Sequence, residues 1–314
     1  MLLEGTSTHA CDFCMLGQGI SPYLTAQGKG LTLTMNYVES DHVYSGATSI
    51  DPHGINESWT IYTLTGFYPL NENLTLMLAL PYVSKTNLDF DANTDSNPGT
   101  VTSGVGDLTL TSRYTLFTDH TMTSTLIGGF LGGIKFPTGS TDAQDLAGNP
   151  VDRHALPGTG SFDFNLGFTG SYTTATGFQL SAEAVYSITT TGKWDGRDHR
   201  YGNTLNFSTK GFYRVWSSQP GVKNLMPFLG LSGEWEGEET GVQTDSAYLS
   251  NQLNPSTGGT VLFAVVGIHA ELSSDTFVAF TFSKAFYHHM NYDPDFDPDP
   301  AENYKINTAI TYLF

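Results

Sequence analysis

The stretch Tyr304-Lys305-Ile306-Asn307-Thr308-Ala309-Ile310-Thr311-Tyr312-Leu313-Phe314 decides the fold. Successive side chains of an extended strand point to opposite faces, so residues two apart share a face. Ile306, Thr308, Ile310, Tyr312 and Phe314 therefore fall on one side, and Lys305, Asn307 and Thr311 on the other. One face is greasy and the other polar, which is the mark of a strand between an apolar and a polar medium.

The same period recurs upstream. Leu74, Leu76, Leu78, Leu80 and Tyr82 alternate with Thr75, Met77, Ala79, Pro81 and Val83, and Phe178, Leu180, Ala182, Ala184 and Tyr186 with Gln179, Ser181, Glu183 and Ser187. Twelve strands are read this way, at about 29–39, 57–69, 73–85, 104–118, 122–136, 161–174, 177–190, 202–216, 223–236, 260–272, 275–286 and 303–314. In the second of these the faces compete: Trp59, Ile61 and Phe67 against Tyr62, Leu64 and Tyr68. Short connections alternate with long ones, and the long ones carry most of the Asp, Pro and Asn. An even strand count with short turns at one end and long loops at the other predicts an all-β transmembrane barrel, antiparallel and up-and-down, with periplasmic turns and extracellular loops. Tyr82, Tyr172, Tyr186, Trp216 and Trp235 fit interfacial aromatic girdles. The terminal strand resembles the signal read by the barrel assembly machinery, with Tyr312 and Phe314 as its core.

Composition agrees. Of 314 residues only 14% are charged, with Lys+Arg 13 against Asp+Glu 31 and a formal net charge of −18. Such an acidic chain lacks the basic surface that nucleic-acid binding requires. No apolar run is long enough for a transmembrane helix, which leaves a barrel open, because a barrel hides its lipid face in alternate residues. Two cysteines cannot scaffold a disulfide-built fold. Cys11 and Cys14, with His9, offer three weak ligands for a soft metal or a simple disulfide pair. Residues 1–28 contain no clear strand and read as a periplasmic tail or a lumen plug, leaving 29–314 as the barrel.

Four strings carry a family resemblance: Ala79-Leu80-Pro81-Tyr82-Val83, Gly104-Val105-Gly106-Asp107-Leu108, Gly133-Ile134-Lys135-Phe136-Pro137-Thr138-Gly139 and Pro157-Gly158-Thr159-Gly160-Ser161. On these the chain resembles the outer-membrane family named for the MetA pathway of phenol degradation. That resemblance implies a barrel in the bacterial outer membrane that moves hydrophobic or aromatic compounds.

With the greasy set facing lipid, the lumen receives Asp107, Arg113, Lys135, Asp163, Glu183, Lys210, Arg214, Glu234, Glu236, His269, Glu271 and Lys305. Strand direction puts Asp107, Lys135 and Asp163 on adjacent strands at the long-loop end, so a carboxylate–lysine–carboxylate cluster is expected there. Glu183 and Lys210 should face each other at mid-height. Such groups either pair as packing in a narrow barrel or form a constriction that filters solutes. Twelve strands are intermediate between a filled interior and an open channel, so a narrow or partly plugged pore is expected. Asp293, Asp295, Asp297 and Asp299 place carboxylates at every second position of a loop, a weak candidate for calcium or for divalent ions that bridge lipopolysaccharide. A membrane lipase would need a Ser activated by a neighbouring His, and no His has a Ser two positions on.

The expected function is a channel for passive uptake of small hydrophobic or aromatic molecules, without enzymatic activity or cofactor. Its expected partners are the solute, outer-membrane lipid, lipopolysaccharide and the assembly machinery. A sugar or ion porin and a barrel without transport are the alternatives.

Overall fold

The computed structural model describes residues 28–50, 55–89, 100–143, 153–194, 196–219, 222–243, 248–293 and 300–314. Twelve long strands form the wall: β1 (Gly30–Ser45), β2 (Ile55–Pro69), β3 (Leu74–Asp89), β4 (Leu108–His120), β5 (Ser124–Phe136), β6 (Asp163–Thr174), β7 (Phe178–Ile188), β8 (Thr204–Tyr213), β9 (Val222–Glu236), β10 (Gly259–Glu271), β11 (Thr276–Met290) and β12 (Pro300–Leu313). Each pairs antiparallel with its chain neighbours, and β12 returns to β1 from Gly30↔Leu313 to Val43↔Pro300. The sheet is closed, so the wall has no strand edge and its backbone groups are satisfied within the sheet. Only such a structure, or a helix, can cross hydrocarbon.

The two faces of the wall differ as the alternation requires. On the outside, Leu33, Leu64, Leu80, Phe168, Leu229, Val266 and Ile310 are exposed, from 43% at Leu80 to 71% at Leu229. A belt of this extent has no place on a protein surrounded by water. Tyr172 and Trp235 are exposed at strand ends, as girdle residues should be; Tyr82 is exposed but lies midway along β3, and Tyr186 is half-buried. The side chain of Trp216 lies outside the described residues. The ambiguous second strand resolves cleanly: Tyr62, Leu64 and Tyr68 face lipid, while Trp59, Ile61 and Phe67 are buried inside.

Pro81 explains a departure from the expected strand at 104–118. Proline has no N–H to give to a ladder. Below it β3 pairs with β4, from Leu74↔Tyr114 to Ala79↔Thr109; above it β3 pairs with a separate segment, Thr100–Val105, from Tyr82↔Val105 to Asn87↔Thr100. The break falls opposite Pro81, where Gly106 N donates to Pro81 O at 2.9 Å. The loops expected at 40–56 and 287–302 are shorter than read. β1 runs on to Ser45 and pairs there with Thr48–Ile50, while β11 continues to Met290 and β12 begins at Pro300. These strands rise above the lipid belt, where polar residues on both faces break the two-residue pattern.

Candidate functional site

Two side-chain systems and clusters of apolar residues define the inside of the barrel. The first sits at the long-loop mouth. Lys135, near the upper end of β5, places Nζ 2.5 Å from Asp163 Oδ2 on β6 and 3.8 Å from Asp107 Oδ2. All three are buried. Asp107 also accepts Gly139 N on Oδ1 at 2.8 Å, and Thr159 N and Oγ1 on Oδ2 at 2.8 and 2.7 Å. Asp163 Oδ1 accepts Ser161 Oγ at 3.0 Å and Thr190 N at 3.1 Å. The cluster thus anchors both feet of the 137–162 loop to the wall. Gly139 and Gly158 cross so closely that a Cβ on Gly139 would lie 2.6 Å from Gly158 Cα, so neither position admits a side chain without a shift of backbone.

Lower in the lumen, Glu183 on β7 lies within electrostatic reach of Lys210 on β8 and of Arg113 on β4 across the lumen. The register is diagonal, with Lys210 opposite Ser181 and Glu183 opposite Ser208. Lys305 spans the upper lumen to Glu234 on β9 at 2.6 Å and also meets Glu302 at 2.5 Å. His269 packs inside against Phe212 and Phe228, with ring centroids 5.7 and 6.3 Å away. Glu271 ends β10 at the periplasmic rim, where Asn224 of β9 donates to it. Arg214 is a correction to the expected lumen set. β8 ends at Tyr213, so Arg214 falls in the turn, exposed, with its N–H on Gly177 O at 2.9 Å. The alternation was extended one residue past the strand that carries it.

Between these charges the inner wall mixes apolar clusters with buried hydroxyls and amides such as Thr32, Thr63, Thr111, Asn165, Thr281 and Thr311. Val38, Trp59, Ile61 and Val83 form one buried cluster on β1–β3. Phe67, Met77, Leu131, Val185 and Leu313 form a layer near the periplasmic end, and Phe212, Phe228, Phe263 and Val265 belong to a third group. Beside Val38, Asn36 and Asn307 are directly paired across β1 and β12, and buried amide atoms of both have no hydrogen-bond partner among the described residues.

Sequence reading missed a second mouth system, built by three loops. Arg153 and His154 lie in a short 3₁₀ turn, His199 in a small hairpin strand (Arg197–His199) and Glu239 at the start of Glu239–Gln243. Lys85 Nζ donates to His154 O at 2.7 Å, Thr102 Oγ1 donates to Ala155 O, and Tyr201 OH donates to Arg153 O at 3.0 Å. Arg153 Nη2 meets Glu239 Oε2 at 3.1 Å, and His154 Nε2 meets the same oxygen at 3.0 Å. Burial, with the Arg153 and Lys85 cations, holds His154 well below the usual imidazole range. His199 is pushed down to about 3, chiefly by burial, with Glu239 opposing and Arg153 and His154 adding to the fall. No spacing in the sequence links the Arg153–His154 pair to His199 or Glu239, since these come from three different loops.

Of the remaining candidates, Tyr312 and Phe314 lie on the outer face as exposed side chains, with Phe314 N donating to Lys29 O at 3.0 Å. Asp293 exchanges hydrogen bonds with Ser256 Oγ, its N donating and its O accepting, at 2.9 Å each. Asp295, Asp297 and Asp299 lie outside the described residues, as do His9, Cys11, Cys14 and residues 1–27.

The sequence model of the family described as "Putative MetA-pathway of phenol degradation" matches residues 53–287, about three-quarters of the chain. The chain belongs to this family. In this MetA-pathway family barrel the four strings quoted above meet at one place. A Cβ on Gly106 would lie 3.0 Å from both Pro81 Cγ and Pro157 O, and one on Gly139 would lie 2.6 Å from Gly158 Cα. Among solved structures, an outer-membrane channel from Pseudomonas putida F1 is 16% identical with a TM-score of 0.64, and the match covers 91% of this chain and 96% of that one. It shows the same barrel fold. The β domain of the Bordetella autotransporter BrkA matches at 8% identity and a TM-score of 0.47, over 91% of this chain and 100% of that one. The monoaromatic hydrocarbon channel CymD matches at 12% identity and a TM-score of 0.41, over 93% and 90%. No curated protein sequence matches the chain. Closed wall, lipid-facing belt and family together place this MetA-pathway family barrel in the bacterial outer membrane.

Proposed function

We propose that the barrel is a passive channel for small hydrophobic or aromatic molecules and performs no catalytic step. One observation carries this reading: buried apolar and aromatic clusters, Val38 with Trp59, Ile61 and Val83, and Phe212 with Phe228 and Phe263, interrupt the polar inner wall, whereas a water-filled porin lines its lumen with polar groups throughout. Trp59, Ile61, Val38 and Val83 beside the amides of Asn36 and Asn307 combine apolar contact with a few placed polar groups, the usual composition of a small-molecule site. Such a surface suits an aromatic ring bearing one hydroxyl. The name of the monoaromatic hydrocarbon channel lies in the same direction. Arg113, Glu183 and Lys210 then act as a polar filter along the route, and no cofactor is needed. Lipopolysaccharide and outer-membrane lipid surround the belt, and the assembly machinery reads Tyr312 and Phe314.

Uptake tests this directly. Cells of a porin-poor strain expressing the barrel should accumulate radiolabelled phenol or toluene faster than cells without it, and Trp59→Asp should remove most of the gain. Equal accumulation with and without the barrel contradicts the reading.

A further inference from the structure

The second mouth system holds more than an ion pair. His154, His199 and Glu239 each offer one ligand atom, and these atoms all lie within 4.8 Å of one another. His154 Nε2 is 3.0 Å from Glu239 Oε2 and 3.1 Å from Oε1, while His199 Nε2 is 3.6 Å from Oε2. The last separation is too long for a hydrogen bond. It is close to what two ligands of a tetrahedral ion keep when each bond is about 2.0–2.2 Å. All three residues are at most 2% exposed. The scaffold is specific: Arg200 and Thr240 exchange backbone hydrogen bonds at 3.0 and 2.8 Å, which sets His199 beside Glu239, and Glu239 N donates to Thr257 Oγ1 at 2.9 Å.

We propose that His154, His199 and Glu239 form a binding site for one divalent transition-metal ion of the zinc, nickel or copper class, which ties three extracellular loops together across the barrel mouth.

The donor set selects the ion. Two imidazoles and one carboxylate suit these metals, whereas calcium and magnesium need more oxygen ligands than the site supplies. Arg153 shapes the affinity. Its guanidinium sits on Glu239 Oε2, the oxygen that His154 and His199 also approach, and so competes with the ion for it. Arg153 and the nearby Lys85 repel a cation and hold the affinity down. Removing the Arg153 charge should therefore tighten binding, the reverse of what a purely structural ion pair would do for a metal. The site does not depend on the identity of the solute, so it stands whether or not the barrel carries aromatics.

Cobalt is the probe, because its visible bands report nitrogen and oxygen ligands and are distinct from those of thiolate. The full chain in detergent, carrying Cys11→Ser and Cys14→Ser, is titrated with Co²⁺ and then with Zn²⁺ or Ca²⁺. Expected are d–d bands that saturate near one ion per barrel, displacement by Zn²⁺, and no displacement by Ca²⁺. His199→Asn keeps the Arg153–Glu239 pair and should weaken binding by roughly tenfold or more, while Arg153→Gln should strengthen it. Absence of the bands in the parent protein overturns the proposal. So does unchanged affinity in His199→Asn once its barrel is shown to be folded by heat-dependent gel migration. Should that variant not fold, weaker binding in Arg153→Gln than in the parent overturns the proposal on its own.

Discussion

Asp107 shows how one side chain organises the mouth. It sits at the end of a glycine-rich string and accepts three hydrogen bonds from the two feet of the 137–162 loop, beside Lys135. Asp107→Ala removes the acceptor for all three donors inside a buried site, and each lost partner costs about 1–3 kcal/mol. The loop should then be cut by protease at concentrations that leave the parent intact, while the barrel wall survives. Lys135→Met leaves two buried carboxylates with their shared cation gone, and should cost about 3–5 kcal/mol, seen as a lower unfolding temperature on gels. The pairing of Asp107, Lys135 and Asp163 was legible, because strand direction and alternation alone bring them to one height. Arg153, His154, His199 and Glu239 were not. Loops have no period, and these residues meet only because three loops fold over the mouth. The one available signal was the concentration of Arg153 and His154 beside Ala155-Leu156, a charged pair next to an apolar one in an otherwise acidic loop.

Strands were far more legible than loops because the lipid–lumen contrast repeats at every second residue. Where that contrast fades, so did the reading. β1, β11 and β12 extend above the belt, and there the pattern no longer marks their ends. Arg214 was misplaced for the opposite reason, since the pattern ran on beyond the hydrogen-bonded strand. Pro81 was quoted in a family string, but its effect on the ladder, splitting the partner into Thr100–Val105 and β4, needs the register to be seen. The face assignment has a direct check. Leu78 points to lipid midway along the apolar run 74–82 of β3. Leu78→Arg should cost about 2–4 kcal/mol for folding into vesicles, while Met77→Gln on the lumen side of the same strand should cost clearly less. At the end of β12, deletion of Phe314 should lower the amount of barrel in the outer membrane without altering its folding into vesicles in vitro. Equal loss in both settings would assign Phe314 to stability rather than to assembly.

On the scale of the molecule, the low charge count and the −18 balance have separate locations. Half of each strand faces lipid, where charge is costly. The lumen charges are drawn into mutual contact: Lys135 with Asp163, Lys305 with Glu234 and Glu302, and Glu183 within reach of Lys210 and Arg113. What remains of the inner wall alternates separate apolar clusters with buried Thr, Ser and Asn side chains, and the mouth is crossed by loops held on the Asp107 cluster. With its charges paired, a lumen of that kind gives ions few partners while offering rings and alkyl groups patches of apolar contact. Conductance in planar bilayers tests this most directly. The account predicts small or intermittent currents that aromatic solutes alter when added on the loop side. Large, steady ohmic currents that aromatics leave unchanged would contradict it.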